Sequence, residues 1–159
     1  MSRINDLEFK AIIVGDGPYL LKLKQKVENY GLDNKVIFTG AIEHREIVEF
    51  FKTVNLFVSI NHLGMFGNNL LEAAKMRLPS IILNHGYITT SLKNNFILIN
   101  KVNLIEELSC NLRKCMNDDS ACYEYSQLSK KFSKSLSSWE GRISSEMSII
   151  DNFIHHYSN

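Results

Sequence analysis

The sequence predicts an α/β fold: a parallel sheet covered by helices on both faces, followed by a helical C-terminal end. The strand-like segments are apolar throughout rather than alternating, which is typical of strands buried on both faces. Segments with apolar residues at helical spacing separate these strands, and this alternation favours a parallel sheet. A chain of 159 residues is long enough for one domain with a core and too short for two ordinary ones.

Five short apolar segments are predicted to be strands, the last of them the weakest: Lys10–Val14, Val36–Thr39, Asn55–Ile60, Ser80–Leu83 and Phe96–Ile99. Three helices are predicted between the first four, at residues 20–27 with a stop at Gly31, at 43–52 and at 68–76. Ligands bind outside the carboxyl ends of strands in such sheets. The turns that matter are therefore Gly15–Pro18, Gly40–His44, Asn61–Asn68 and Asn84–Thr90.

From Leu104 onward the apolar pattern is helical. Three helices are predicted there, over about residues 104–116, 123–132 and 139–154. The sequence has no repeat, low-complexity tract or linker. A single domain is therefore expected over residues 1–159, with its sheet at about residues 8–100 and its C-terminal helices at about 103–157.

The composition fits a globular protein and excludes several classes. Hydrophobic residues make up 45% and charged residues 22% of the chain, as in globular proteins. The net charge of +1 does not indicate a nucleic-acid-binding protein, which would be strongly basic. No apolar run is long enough to cross a bilayer and the N-terminus has no signal-like core, so a cytoplasmic chain is expected, with at most peripheral contact at the inner face of the membrane. Cys110, Cys115 and Cys122 form no CxxC pair and are expected to be free thiols, and no metal site is expected.

The lysine-rich segment near residue 130 admits two interpretations. Lys130, Lys131 and Lys134 stand beside Phe132 and Leu136, a pattern that an amphipathic surface touching anionic lipid would show. The same pattern fits a solvated helix face, which is the preferred interpretation.

The loop before the third predicted helix is the main candidate for a binding site. Gly64 and Gly67 allow backbone N–H groups to approach a ligand closely, and the helix start that follows offers free donors and a favourable dipole for phosphate. Glu72 lies about one turn further on, where a carboxylate can accept hydrogen bonds from two hydroxyls of a ribose. Taken alone, such a pattern more often means that the glycines only form the turn before the helix and that the glutamate faces solvent.

Several motifs stand in a consistent order along the chain. They are Ile13–Pro18 (Ile-Val-Gly-Asp-Gly-Pro), Val36–Gly40 (Val-Ile-Phe-Thr-Gly), residues 51–59, Phe66–Ala74, Leu78–Ile82 (Leu-Pro-Ser-Ile-Ile) and Ser138–Glu140 (Ser-Trp-Glu). In order and spacing they resemble the family-4 glycosyltransferases, whose Glu-x7-Glu motif is matched by Phe66–Ala74. The resemblance implies a Rossmann-like domain that forms the donor-binding half of a GT-B fold.

The resemblance also implies roles for particular residues. Glu72 matches the second Glu of the motif, which binds the nucleotide ribose in the family. The remaining candidates for substrate binding form three groups. The first faces the sugar and diphosphate, the second lies near the base, and the third shapes the edge of the site. These groups are Phe66, Gly67 and Asn68, with Gly64 and Met65 of the same loop; Gly40, Ala41 and Ile42; and Gly15 and Gly17. His62 lies in the same loop and is a candidate for a hydrogen bond to the donor sugar, with a plain loop histidine as the alternative interpretation.

Two departures from the family pattern bear on activity. Gly64 stands where the first Glu of the motif would contact the donor sugar, and glycine has no side chain to do so. The family also has an earlier strand whose Arg and Lys clamp the pyrophosphate, as well as an acceptor domain, whereas this sequence starts near the strand Lys10–Val14. Because these groups stabilise the leaving diphosphate, independent turnover is not expected, and no catalytic residue is assigned.

The resemblance implies a glycosyltransferase-type protein of bacterial envelope polysaccharide synthesis, for lipopolysaccharide or capsule. It would use a nucleotide-diphosphate sugar without a further cofactor, as a fragment or as one subunit. A non-catalytic nucleotide-sugar-binding or protein-interaction module is the main alternative, and a sugar-nucleotide epimerase of related architecture is a weaker one. Because an uncovered sheet edge invites pairing, association with itself or with a separate acceptor-domain chain is expected.

Overall fold

The computed structural model describes residues 2–61, 67–86, 90–136, 143–144 and 147–148. Its strands are β1 (Ala11–Val14), β2 (Val36–Gly40), β3 (Phe57–Ser59), β4 (Ser80–Asn84) and β5 (Ile97–Asn100). Its helices, preceded by a short 3-10 helix at Ser2–Ile4, are α1 (Leu20–Asn29), α2 (His44–Lys52), α3 (Asn68–Lys75), α4 (Thr90–Lys93), α5 (Leu104–Asn117) and α6 (Asp119–Ser135). This alternation of strand and helix confirms the predicted α/β fold.

The differences from the predicted elements are local. β3 is shorter than the apolar segment that predicts it, and α4 was not predicted because four residues are too few to show a helical period. The helix predicted over about residues 139–154 lies outside the described residues, apart from residues 143–144 and 147–148, which are helical.

The strands form two hydrogen-bonded groups. β1 pairs with β2, and β3, β4 and β5 pair in that order. Every one of these pairings is parallel, as predicted. Within the described residues no strand bridges β1 and β3, so the predicted sheet is divided at this point and both strands lie at an edge.

The central strand β4 shows how helices cover both faces of the sheet. Successive side chains of a strand point to opposite faces. Ile82 packs with Leu70 of α3 and Phe132 of α6 on one face. Ile81 and Leu83 pack on the other face against α5. The expectation of helices on both faces is therefore confirmed.

The lysine-rich segment of α6 turns its apolar side toward this core. Phe132 is buried against Phe96, with ring centroids 4.8 Å apart. Leu136 packs against the same cluster, while Lys131 and Lys134 are exposed. Since the aromatic and aliphatic groups are used in the core, the structure supports the solvated-face interpretation and gives no basis for the lipid-contact interpretation.

The first residues are fixed by charged side chains from two other elements. Arg113 of α5 donates to both carboxylate oxygens of Asp6, at 2.7 and 2.6 Å, and to the carbonyl oxygen of Arg3 at 2.7 Å. The hydrogen bond from Arg113 lowers the pKa of Asp6. Lys35, which precedes β2, donates to two backbone carbonyls of the same segment at 2.6 and 2.8 Å. The N-terminal segment therefore joins the β1–β2 group to the helices of the other group.

The three cysteines are free thiols that differ in accessibility. Cys110 is exposed, Cys115 is buried and Cys122 is intermediate. Burial, followed by the neighbouring Cys122, raises the pKa of Cys115 to about 11. Burial also raises the pKa of Cys122. The thiolate, which is the reactive form, is therefore disfavoured at Cys115 and Cys122.

We expect a thiol reagent such as DTNB to label Cys110 first at neutral pH and to reach Cys115 only on unfolding. Absorbance kinetics measure this, and Cys110→Ser should remove the fast phase; equal rates for all three thiols would contradict the burial.

Stability is also linked to pH, because the folded pKa of Cys115 lies above its ordinary value of 9.0. This contribution to stability is present below pH 9.0 and is lost as the pH rises toward about 11.

Candidate functional site

The turns after β1 and β2 are tied together. The backbone N–H of Gly15 donates to the carbonyl oxygen of Gly40 over 2.8 Å. The φ angles are 134° at Gly15 and 71° at Gly40, a region that favours glycine. Ala41 and Ile42 follow directly and lead into α2. The structure thus brings together two of the groups that the sequence analysis predicts, at the carboxyl ends of adjacent strands.

A small cavity of about 160 Å³ lies beside these turns. Among the described residues it is lined by Gly15, Gly17, Tyr19 and apolar side chains of β1 and α1, none of which is charged. This placement agrees with a role for the two glycines at the edge of the site. A larger cavity of about 310 Å³ lies between α1 and β2, and no predicted site residue lines it.

Glu72 lies in the second turn of α3, with Leu70, Ala73 and Ala74 of the same helix buried in the core. The Glu72 side chain is 20% exposed, and its Oε1 lies 3.6 Å from Nδ1 of His44, the first residue of α2. The Glu72 carboxylate therefore faces the start of the helix that follows the Gly40–Ile42 turn. The position matched to ribose binding and the turn matched to base binding are neighbours in the fold.

The N-terminus of α3 starts at Asn68, with Gly67 as the N-cap residue. Gly67 makes no side-chain cap, and the Oδ1 atom of Asn69 accepts a hydrogen bond from the Leu70 N–H at 2.9 Å. N–H groups in the first turn of a helix have no acceptor within the helix and favour anions. The local geometry is thus compatible with the predicted diphosphate contact.

We expect Gly67→Ala to displace the Asn69 side chain, because a Cβ at position 67 would lie 2.7 Å from its Oδ1. The loss of the hydrogen bond to Leu70 should lower the free energy of unfolding by about 0.5–1.5 kcal/mol. Urea denaturation measures this. Adding Asn69→Ala to Gly67→Ala should not lower the free energy of unfolding further. If the losses of the two single variants add in the double variant, the clash between the new Cβ and the Asn69 side chain is not the cause.

A family model described as glycosyl transferases group 1 matches residues 1–134. The chain belongs to this family. The matched range contains both glycine turns, the loop before α3 and Glu72, so the family pattern covers each group of candidate residues. It also contains all five strands of the structure.

Two curated relatives match part of the chain. Alpha-monoglucosyldiacylglycerol synthase of Streptococcus pneumoniae is 33% identical over 79 residues, which are 50% of this chain and 18% of that protein. The 2-deoxystreptamine N-acetyl-D-glucosaminyltransferase of Niallia circulans is 33% identical over 84 residues, which are 53% of this chain and 21% of that protein. The chain therefore spans about a fifth of the length of these relatives.

Solved structures share the fold. The C-terminal domain of a glycosyl transferase group 1 family protein from Francisella tularensis superposes with a TM-score of 0.68 at 24% identity, covering 77% of this chain and 67% of that one. The protein HepE from Anabaena, in complex with UDP, superposes with a TM-score of 0.67 at 20% identity, covering 79% of this chain and 36% of that one. The predicted fold, that of a GT-B C-terminal domain, is confirmed.

Some of the predicted site lies beyond what the structure describes. His62, Gly64, Met65 and Phe66 are outside the described residues, so the sugar-facing half of the loop is not placed. Within the described ranges, no group of three or more His, Cys, Asp or Glu side chains is arranged to hold a metal ion. In the same part of the chain, no helix has the length and apolar character needed to cross a membrane.

A polar network that the sequence analysis missed joins the carboxyl ends of β4 and β5. Glu107 of α5 accepts from the Asn100 N–H at 2.7 Å, and the Asn84 side-chain amide donates to Asn100 Oδ1 at 3.0 Å. Oδ1 of Asn84 in turn accepts from the Gly86 N–H at 3.0 Å. The signal in the sequence is an asparagine at the end of each strand. The network holds the start of the turn after β4, one of the turns predicted to border the site.

Proposed function

We propose that the chain binds a nucleotide-diphosphate sugar and forms the donor-binding part of a glycosyltransferase of bacterial envelope polysaccharide synthesis. The placement of Glu72 carries the proposal. Its carboxylate is partly exposed beside His44 at the start of α2, and α2 follows the Gly40–Ile42 turn, which is tied to Gly15. Membership of the family and the UDP complex of the similarly folded Anabaena protein support a nucleotide as the ligand.

The proposed reaction needs the nucleotide at this position. The oxygen of an acceptor hydroxyl bonds to the anomeric carbon of the sugar and gives up its proton to the solvent or to the departing phosphate. The bond from that carbon to the diphosphate oxygen breaks, and the nucleoside diphosphate leaves with the electron pair. The sugar is already activated, so no further cofactor enters the proposal. Glu72 would hold the ribose, and the first N–H groups of α3 would face the charge that develops on the diphosphate.

A non-catalytic nucleotide-sugar-binding module is the second candidate. The observation that favours it is Gly64, which occupies the position of the first Glu of the family motif. A carboxylate near the donor sugar is then missing from this position, while Glu72, the position matched to ribose binding, is kept. Binding without transfer is the property that would distinguish such a module from an enzyme.

Calorimetric titration with UDP, GDP and ADP tests the binding proposal directly. We expect one nucleoside diphosphate to bind with a Kd in the range of about 1 μM to 1 mM, typical of enzyme substrates. The matching monophosphate should bind at least about tenfold weaker, because it loses charge-assisted hydrogen bonds to the second phosphate. No binding by any of the three diphosphates would contradict the proposal. Binding of the sugar nucleotide with no release of its diphosphate over hours, followed by NMR, would favour the non-catalytic module.

A further inference from the structure

The packing of one side of α2 determines where His44 lies. His44, Ile47 and Phe51 follow one another at i, i+3 and i+7, so they lie on the same side of the helix. Ile47 and Phe51 pack in a cluster with Ala73 of α3. Because the core holds this side of α2 against α3, the first residue on it, His44, comes to lie beside Glu72.

Within the described part of the chain, the His44 side chain serves neither the core nor the end of its own helix. It is 79% exposed, and Glu43, the N-cap residue of α2, makes no side-chain cap. Glu43 instead pairs with Arg45 at 2.8 Å, so the charged neighbours of His44 are engaged with each other. The imidazole is therefore presented to solvent at a place that the core has fixed.

The contact between His44 and Glu72 leaves the carboxylate available to a ligand. Nδ1 of His44 and Oε1 of Glu72 are 3.6 Å apart, which is longer than the about 2.7–3.2 Å of an N–H···O hydrogen bond. An ionic contact of so exposed a side chain also contributes little to stability. A ligand that hydrogen-bonds to Glu72 would consequently have the imidazole ring as its neighbour.

We propose that the His44 imidazole stacks on the base of the bound nucleotide. The inference rests on the proposed function and extends it, because it adds a base-contacting side chain to the same site. The ring is 3.6 Å from the carboxylate matched to ribose binding, and it comes two residues after Ile42, the end of the turn matched to base binding. Since the base is bonded directly to the ribose, a side chain at this position is within reach of the base.

The chemistry of the imidazole favours stacking. Histidine is among the planar side chains on which nucleic-acid bases stack. Every base has a π-face, so such a contact contributes affinity for the nucleotide more than it selects one base over another. We therefore expect His44 to strengthen binding of whichever nucleoside diphosphate the site accepts.

Calorimetry on variants of the full chain is the first test. His44→Ala removes the ring and should weaken binding of the nucleoside diphosphate by about 5- to 100-fold, as for other base-stacking side chains. His44→Phe keeps a flat ring and should stay within about threefold of the unmodified chain. Val48→Ala, one turn further along α2 and also exposed, is the matched control and should leave the Kd unchanged. Equal losses in the alanine and phenylalanine variants would overturn the proposal.

The 2′-deoxy nucleotide separates a contact with the base from an indirect effect through Glu72. If His44 contacts the base, His44→Ala lowers the affinity for both forms of the nucleotide and keeps the preference for the ribonucleotide. If His44 only positions the Glu72 carboxylate, that preference falls together with the affinity. Loss of the preference in the folded His44→Ala chain would contradict the proposed stacking.

Nuclear Overhauser effects report the contact directly. In the complex of the unmodified chain, we expect cross-peaks between the His44 ring protons and protons of the base, and they should disappear in His44→Ala. Cross-peaks confined to ribose protons, or none at all, would refute the stacking. An unchanged Kd in the folded His44→Ala chain overturns this inference alone, whereas failure of the unmodified chain to bind any nucleoside diphosphate overturns the proposed function and this inference with it.

Discussion

Glu72→Gln should weaken binding of the cognate nucleoside diphosphate by roughly 10- to 100-fold. Hydrogen bonds to a charged group contribute about 1.5–3 kcal/mol, and each 1.4 kcal/mol is about a factor of ten in Kd. Among the residues that the structure describes, the ionic contact of the Glu72 carboxylate is with the exposed His44, 3.6 Å away, and such a contact competes weakly with a ligand. Glutamine keeps the size of the side chain but loses the charge and one acceptor, so the effect reports hydrogen bonding rather than packing.

Calorimetry with matched controls separates this effect from a general loss of fold. Glu106→Gln changes an exposed glutamate of α5, far along the chain from α3, and should leave the Kd unchanged. The 2′-deoxy form of the nucleotide removes one ribose hydroxyl. The unmodified chain should prefer the ribonucleotide, and the Glu72→Gln chain should have lost most of that preference. A preference that survives the substitution would show that another residue binds the ribose.

Leu70→Ala should lower the free energy of unfolding by about 2–5 kcal/mol, the usual cost of removing a large buried aliphatic side chain. Leu70 is 1% exposed and lies in a cluster with Ile82 of β4 and Phe132 of α6. The cavity left by alanine opens where α3, the sheet and α6 meet, so rigid neighbours on three sides limit any collapse.

Urea denaturation measures the loss, and Leu21→Ala provides the control. Leu21 lies on α1 and is 75% exposed, so its truncation should change the free energy of unfolding by less than about 0.5 kcal/mol. Similar effects of the two substitutions would mean that α3 is not anchored as described. Because Leu70 and Glu72 share α3, a loosened helix should also weaken nucleotide binding in the folded Leu70→Ala chain.

Features encoded by local pattern were predicted well. The run Ser80–Leu83 is apolar on both faces, and β4 is buried on both faces at nearly the predicted bounds. The fold class follows from such runs and from the helical spacing between them. Gly40 could be assigned to a turn from sequence because glycine, having no Cβ, tolerates the positive φ that this turn requires. The structure places the predicted glycine turns next to one another, and it sets Glu72 beside the helix that follows one of them.

Features that depend on pairing between distant segments were not predictable in this way. Nothing in the β1 or β3 segments states which strand lies beside them, so the division of the sheet was missed. The contact between Glu72 and His44 requires α2 and α3 to be placed side by side. The link from Asn84 to Asn100 depends on the register of β4 with β5, which local composition does not specify.

The bond between Arg113 and Asp6 joins residues 107 positions apart. Closing so long a loop costs chain entropy before the contact contributes, so we expect this contact to form after the local β-α-β units. Helix α1 has no buried residue, so the β1–β2 unit is attached through the Arg113–Asp6 contact, the bonds from Lys35 to the N-terminal segment, and the packing of α2 against α3. The molecule consequently consists of a well-consolidated half around β4 and a half of lower local stability, and the proposed site lies on the boundary between these two folding units.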